Sequence, residues 1–132
     1  QIEKILNNMI VAETVNAVGE ALTIGRRAGL DDALLLDTLS KGSADSFVLR
    51  NHGVKAMLPG VFPLRAFSIN YMIKDMKYAL DLAEETGVDA RGARTTNEVL
   101  EEGANSPLAE AYWPAMLAVI DPSIDAQTPD GD

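Results

Sequence analysis

The sequence predicts an all-α, bundle-like domain of about six helices, two of them long, and three observations carry that prediction. Residues 2–28 contain no proline and place apolar side chains at helical spacing around most of the circumference, as expected of a largely buried central helix. A second run, 64–86, sets Ile69, Met72, Ile73, Met76, Leu80 and Ala83 within about 100 degrees of one another at helical geometry. No stretch shows the strict alternation with β-branched and aromatic enrichment that a strand needs.

The elements follow in order. Gly29, after Arg26 and Arg27, stops the first helix, since glycine takes the left-handed cap at little steric cost. Asp31 offers an N-cap to a short helix through Leu34, Leu35, Leu36 and Leu39, which Gly42 closes. A third helical segment spans 44–57, with Ser43 and Ser46 as caps before it. Pro59, Gly60 and Pro63 break the chain ahead of the second long helix, 64–86, which ends at Gly87. Two more helices are expected at 89–102 and 112–120, the latter with Pro114 near its first turn. No internal repeat is present, so a bundle is favoured over a solenoid. Residues 121–132 are polar and acidic and are expected to be a disordered tail.

With 132 residues, 47% of them hydrophobic, one domain can bury a core without covalent staples. There is no cysteine and the only histidine is His52, which removes disulfides, thiolate nucleophiles and Cys/His metal sites from consideration. His52 itself reads as a surface or helix-end residue, because no second ligand stands at a useful spacing. The net charge of -9, part of it from Asp121, Asp125, Asp130 and Asp132, argues against nucleic acid, which demands clustered Lys and Arg. No apolar run reaches the roughly 18 residues of a membrane span and no leader pattern opens the chain, so a cytoplasmic protein is expected. The chain begins at Gln1 and enters a helical pattern at once, as a piece cut from a longer protein would.

Polar residues interrupt both long helices in a way worth explaining. On the first, Lys4, Asn7 and Asn8 share a face with Val11 and Val15, while Glu13, Asn16, Glu20 and Arg27 make the solvated side. Polar groups on a mostly buried helix need partners. Two readings stay open on the residues alone: a fraying helix end, or an ammonium and an amide one turn apart that contact one small oxyanionic substrate. On the second, Phe67, Asn70, Tyr71, Lys74 and Tyr78 face away from the apolar stripe, with Asp75 on the flank. That surface suits a flat cofactor ring, or is only a solvated face with ordinary pairs such as Lys77 and Asp81.

Taken together, Lys4-Ile5-Leu6-Asn7-Asn8, then Phe67 and Lys74-Asp75 before Ala79 and Leu80, with Glu20-Ala21-Leu22 and Ala28-Gly29-Leu30 between, resemble a known family. The chain is similar, over residues 2 to about 120, to the C-terminal domain of the β-hydroxyacid dehydrogenases, the 3-hydroxyisobutyrate dehydrogenase family, related to 6-phosphogluconate dehydrogenase. The resemblance implies the helical fold of those C-terminal domains and hydride transfer between NAD or NADP and a small 3-hydroxy acid or its semialdehyde. It implies that Lys4 is the catalytic general acid/base, that Asn8 with Asn7 binds substrate, and that Phe67, Lys74 and Asp75 face the cofactor. It further implies a homodimer or tetramer, with a dinucleotide-binding Rossmann domain that precedes this region and holds most of the cofactor. No G-x-G occurs in this chain, so the glycine-rich turn and the Ser-Gly-Gly substrate loop belong to that other half, and the piece alone is expected to be inactive. Residues 105–114 depart from the family's acidic lead into the last helix. The competing reading is a non-catalytic helical module for dimerisation or interaction.

Overall fold

A computed structural model describes residues 1–131, and Asp132, the end of the expected tail, lies outside the described residues. The architecture is all-α. Helix α1, Ile2–Arg27, runs through the centre. Ala12, Val15, Val18, Gly19, Leu22, Thr23 and Gly25 are its buried residues, and their spacing of three and four makes one stripe toward the core. The helix ends in a Schellman arrangement: Leu30 N–H donates to Gly25 O at 2.9 Å and Gly29 N–H to Arg26 O at 3.0 Å. Gly29 takes φ 90, which glycine alone adopts cheaply.

Helix α2, Asp32–Leu39, is capped as the sequence suggests, with the Asp31 carboxylate accepting from Leu34 N–H at 2.9 Å. The next segment, Leu49–Met57, is a π-helix, shorter than the expected 44–57. Ser46 Oγ accepts from Leu49 N–H at 2.9 Å, and Leu58 N–H reaches back five residues to Gly53 O at 2.8 Å. Gly53 is buried against Val18 and Leu36, so this unusual turn packs on α1 and α2 together.

The second long helix is α3, Ile69–Glu85, and it starts five residues later than the apolar pattern indicates. Ser68 Oγ caps it at Tyr71 N–H, 3.2 Å. Residues 60–68 are not helical, because their backbone groups bond elsewhere. Phe62 N–H donates to Gln127 O at 2.7 Å, Leu64 N–H to Pro129 O at 2.8 Å, and Tyr112 and Trp113 donate back to Pro63 O and Phe67 O. Arg65, at φ 59, makes the bend and pairs with Asp130 at 2.8 Å. Helix α4, Arg91–Ala104, a 3-10 turn, Trp113–Met116, and α5, Leu117–Ile120, complete the domain. The described residues contain isolated backbone bridges but no β-strand.

Two expectations are corrected here. Residues 121–131 are not a disordered tail: they return along residues 60–64, with Val61 opposite Gln127 and Leu64 opposite Asp130. The polar composition hid two things that hold them, the partly buried Ile124 and Ala126, which pack on the core, and the buried Asp121. Asp121 accepts from Ser123 Oγ at 2.6 Å and meets Arg26 at 3.4 Å, while Arg26 also pairs with Asp32 at 2.9 Å. The bond from Ser123, and the two arginines beside it, hold the Asp121 carboxyl below its usual range. Likewise Glu13 and Asn16 do not face solvent. Both are half-buried, the Glu13 carboxylate lies over Gly92 of α4, and burial pushes its pKa up. Gly92 has no side chain to keep the helices apart.

Candidate functional site

Helices α1 and α3 pack against each other and bring the two motifs together. Asn8 Nδ2 donates to Asp75 Oδ2 at 2.7 Å, joining residues 67 apart in the chain. Asn7 Nδ2 in turn donates to Asn8 Oδ1 at 3.2 Å. A bond to a carboxylate is about twice as strong as a neutral one, so Asp75 fixes the Asn8 amide. The second hydrogen of that NH2 group stays available to a ligand.

These amides close one end of a cleft of about 540 Å³. Its other walls include Phe47, His52, Phe67, Met72, Tyr112 and Trp113. Phe67 is not on α3; it stands just before the Ser68 cap, held by the bond from Trp113 N–H to its carbonyl at 2.8 Å and by Tyr71, whose ring lies 5.5 Å away. The cleft is therefore apolar and aromatic, with a small polar end, which is the common make-up of a small-molecule site.

The remaining candidates stand around this centre. Lys4 is exposed, one turn before Asn7 and Asn8 on α1, and lines none of the described cavities. Lys74 opens on a neighbouring groove with Ser68, Asn70, Tyr71 and Glu110, where Asn70 Nδ2 donates to Glu110 at 2.7 Å. Asn7, Asn8 and Phe67 thus share one cleft, Asp75 bonds to Asn8 at its edge, and neither lysine lines it.

The sequence reading missed the opposite wall. His52 is not at a helix end but within the π-helix, half-buried, with Tyr112 stacked at 6.3 Å and Trp113 at 5.4 Å. Burial lowers its pKa below the usual imidazole value, and a hydrogen bond to the Val48 carbonyl acts the other way. The only sequence signal was its neighbourhood of aromatic residues from a distant segment, which spacing along the chain does not reveal.

Residues 1–120 match the family described as NAD-binding of NADP-dependent 3-hydroxyisobutyrate dehydrogenase. Among curated relatives, glyoxylate/succinic semialdehyde reductase 1 of Arabidopsis thaliana is 28% identical over 120 residues, 89% of this chain and 40% of the relative. The 2-hydroxy-3-oxopropionate reductase of Escherichia coli (strain K12) is 31% identical over 118 residues, again 89% of this chain and 40% of the relative. The chain therefore spans about two fifths of the length of these proteins. A solved structure of 3-hydroxyisobutyrate dehydrogenase from Salmonella typhimurium superimposes with a TM-score of 0.80 at 18% identity, covering 88% of this chain and 40% of that one. That likeness concerns the fold.

Proposed function

This chain belongs to the NADP-dependent 3-hydroxyisobutyrate dehydrogenase family, and from that premise we propose that it is the C-terminal, substrate-handling part of an NAD(P)-dependent β-hydroxyacid dehydrogenase. The observation that carries the proposal is the 2.7 Å bond between Asn8 and Asp75. It unites the Lys4-Asn7-Asn8 end of α1 with the Phe67 to Asp75 segment at the mouth of one cleft.

The donor set suits a nicotinamide dinucleotide. Phe67, backed by Tyr71 at 5.5 Å, offers a flat apolar wall to a ring. Lys74, with no ion pair among the described residues, offers a cation to a phosphate. A bound nicotinamide supplies the hydride or accepts it. The chain's own residues do the rest: Lys4 gives a proton to the substrate oxygen in reduction and takes it in oxidation. The free N–H of Asn8 orients the substrate, Asp75 holds Asn8, and the aromatic wall keeps water from the reacting carbon. A small 3-hydroxy acid and its semialdehyde are the substrate pair. A preceding Rossmann domain and further copies of the protein, in the cytoplasm, complete the enzyme, and exposed apolar residues such as Ile10, Ile24 and Phe47, 59, 69 and 65% exposed, offer surfaces for them.

The test is a pair of variants in the protein joined to its dinucleotide-binding half. Lys4→Ala lowers kcat by at least about a hundredfold while the far-ultraviolet dichroism and cofactor affinity stay close to the parent. Asp75→Ala acts through Asn8 and raises KM by about tenfold with a smaller effect on kcat. Near-normal turnover of Lys4→Ala removes this lysine from the mechanism.

A further inference from the structure

Among the described residues, Arg65 is the one non-glycine with a left-handed backbone, at φ 59. A residue with a Cβ enters that region reluctantly, and it persists there only where its surroundings hold it. Arg65 stands two residues before Phe67, an aromatic wall of the cleft. Whatever holds Arg65 therefore also sets that wall.

Residues 60–68 are gripped from two sides. On one, Tyr112 N–H donates to Pro63 O at 2.9 Å and Trp113 N–H to Phe67 O at 2.8 Å, and both of these donor residues line the cleft themselves. On the other runs the C-terminal strap, residues 121–131. Phe62 N–H donates to Gln127 O at 2.7 Å, Leu64 N–H to Pro129 O at 2.8 Å, and Gln127 N–H to Gly60 O at 2.8 Å. The Leu64 carbonyl lies where a Cβ on Gly131 would stand, so the strap seats closely at its end as well. The Arg65–Asp130 pair is open to water, 66 and 76% exposed on its two sides, and contributes little; main-chain bonds supply the grip. With Leu64 fixed by the strap and Ser68 fixed as the cap of α3 at Tyr71 N–H, residues 65–67 have to make the connection, and the turn at Arg65 follows. Asn8, by contrast, is held by Asp75 across α1 and α3 at 2.7 Å, in a bond where the strap takes no part.

We propose that the C-terminal strap is a positioning element of the site: through Leu64 and the left-handed turn at Arg65 it holds Phe67 where the cofactor ring packs, and it leaves the substrate end to Asn8 and Asp75. The proposal rests on the dehydrogenase reading for what packs on Phe67. The strap itself lies beyond residues 1–120, the extent of the family likeness.

The experiment uses the full-length protein and a form whose chain ends at Ala126, which loses the strap's bonds to residues 60–64 but keeps Asp121 and Ile124. Shortening is expected to raise KM for the nicotinamide dinucleotide about tenfold, with KM for 3-hydroxyisobutyrate within about twofold. Amide exchange at Tyr112 and Trp113 quickens by at least about tenfold, while the amides from Val15 to Leu22 in α1 keep their rates. Arg65→Gly in the shortened protein recovers at least about threefold of the lost cofactor KM, because glycine takes φ 59 unaided. Arg65→Val, β-branched, reproduces the loss with the strap in place. Unchanged exchange at Trp113 on shortening overturns the proposal and leaves the dehydrogenase reading standing. So does a joint rise of both KM values, or a loss that Arg65→Gly fails to recover, since either marks a loosened domain and not a displaced wall. If the parent itself shows no Lys4-dependent turnover, the dehydrogenase reading falls, and exchange at Trp113 alone decides whether the strap holds the wall.

Discussion

At the residue scale the sole imidazole shows how burial sets chemistry. Half-buried between Tyr112 and Trp113, His52 binds its proton less readily in the folded protein than in the unfolded chain, because the charged form loses water. Its contribution to stability is therefore complete above the unfolded value of about 6.5 and declines as pH falls through that value toward the folded pKa. A proton NMR titration of the one histidine gives a single curve, with a midpoint expected below 6.5; a midpoint at or above that value contradicts the burial. Asn7, Asn8, Phe67 and Asp75 were readable from the sequence because each is a distinctive side chain at a fixed place in a motif. His52 was not. Its ring partners lie in a segment about sixty residues away, and a single histidine with no second ligand gives no local sign that it lines a cleft.

At the element scale the packing of α1 depends on a residue with no side chain. A Cβ built on Gly19 meets Ile120 Cδ1 at 2.9 Å and Leu117 and Met57 at 3.4 Å, all flexible ends. Gly19→Ala therefore combines a gain in helix propensity of about 1 kcal/mol with a small repacking cost, and the unfolding free energy from denaturant curves should change by less than about 1 kcal/mol. Gly19→Leu overfills the same gap and costs about 1 to 3 kcal/mol, read as a lower midpoint at unchanged slope. Equal midpoints for the two variants would show that α5 does not lie against Gly19. Helix α1 and the Asp31 cap of α2 follow from local rules, which is why the sequence displays them. The start of α3 does not: residues 64–68 contain no proline or glycine to mark a break, but the backbone of residues 61–68 finds its partners at Ala111, Tyr112 and 127–130, and hydrogen bonding decides the boundary there. The π-helix was equally unreadable, since its wider turn is decided by packing of Gly53 on Val18 and Leu36.

At the scale of the whole molecule the return of residues 121–131 closes the fold. Phe62, 0% exposed, lies where that segment pairs, and Asp121 ties it through Arg26 to α2. Removing residues 121–132 uncovers an aromatic worth about 1.5 to 3 kcal/mol and is expected to lower Tm by roughly 5 to 10 °C in calorimetry. An unchanged Tm would mean that the segment contributes nothing to the fold. Composition pointed the other way, because the apolar content that matters is only Ile124 and Ala126, and main-chain pairing with 60–64 leaves no trace in residue type.

The π-helix also makes chain length a variable of the site. A helix whose bonds reach back five residues accommodates one residue more than an ordinary turn. Loss of a single residue between Phe47 and Pro59 would let Leu49–Met57 rewind to the tighter form and rotate a different side chain into the place of His52, with no substitution at all. Homologues that differ here by a gap rather than by a letter would then differ in which side chain lines the cleft, and an alignment that treats such a gap as a neutral loop edit would misassign the whole wall.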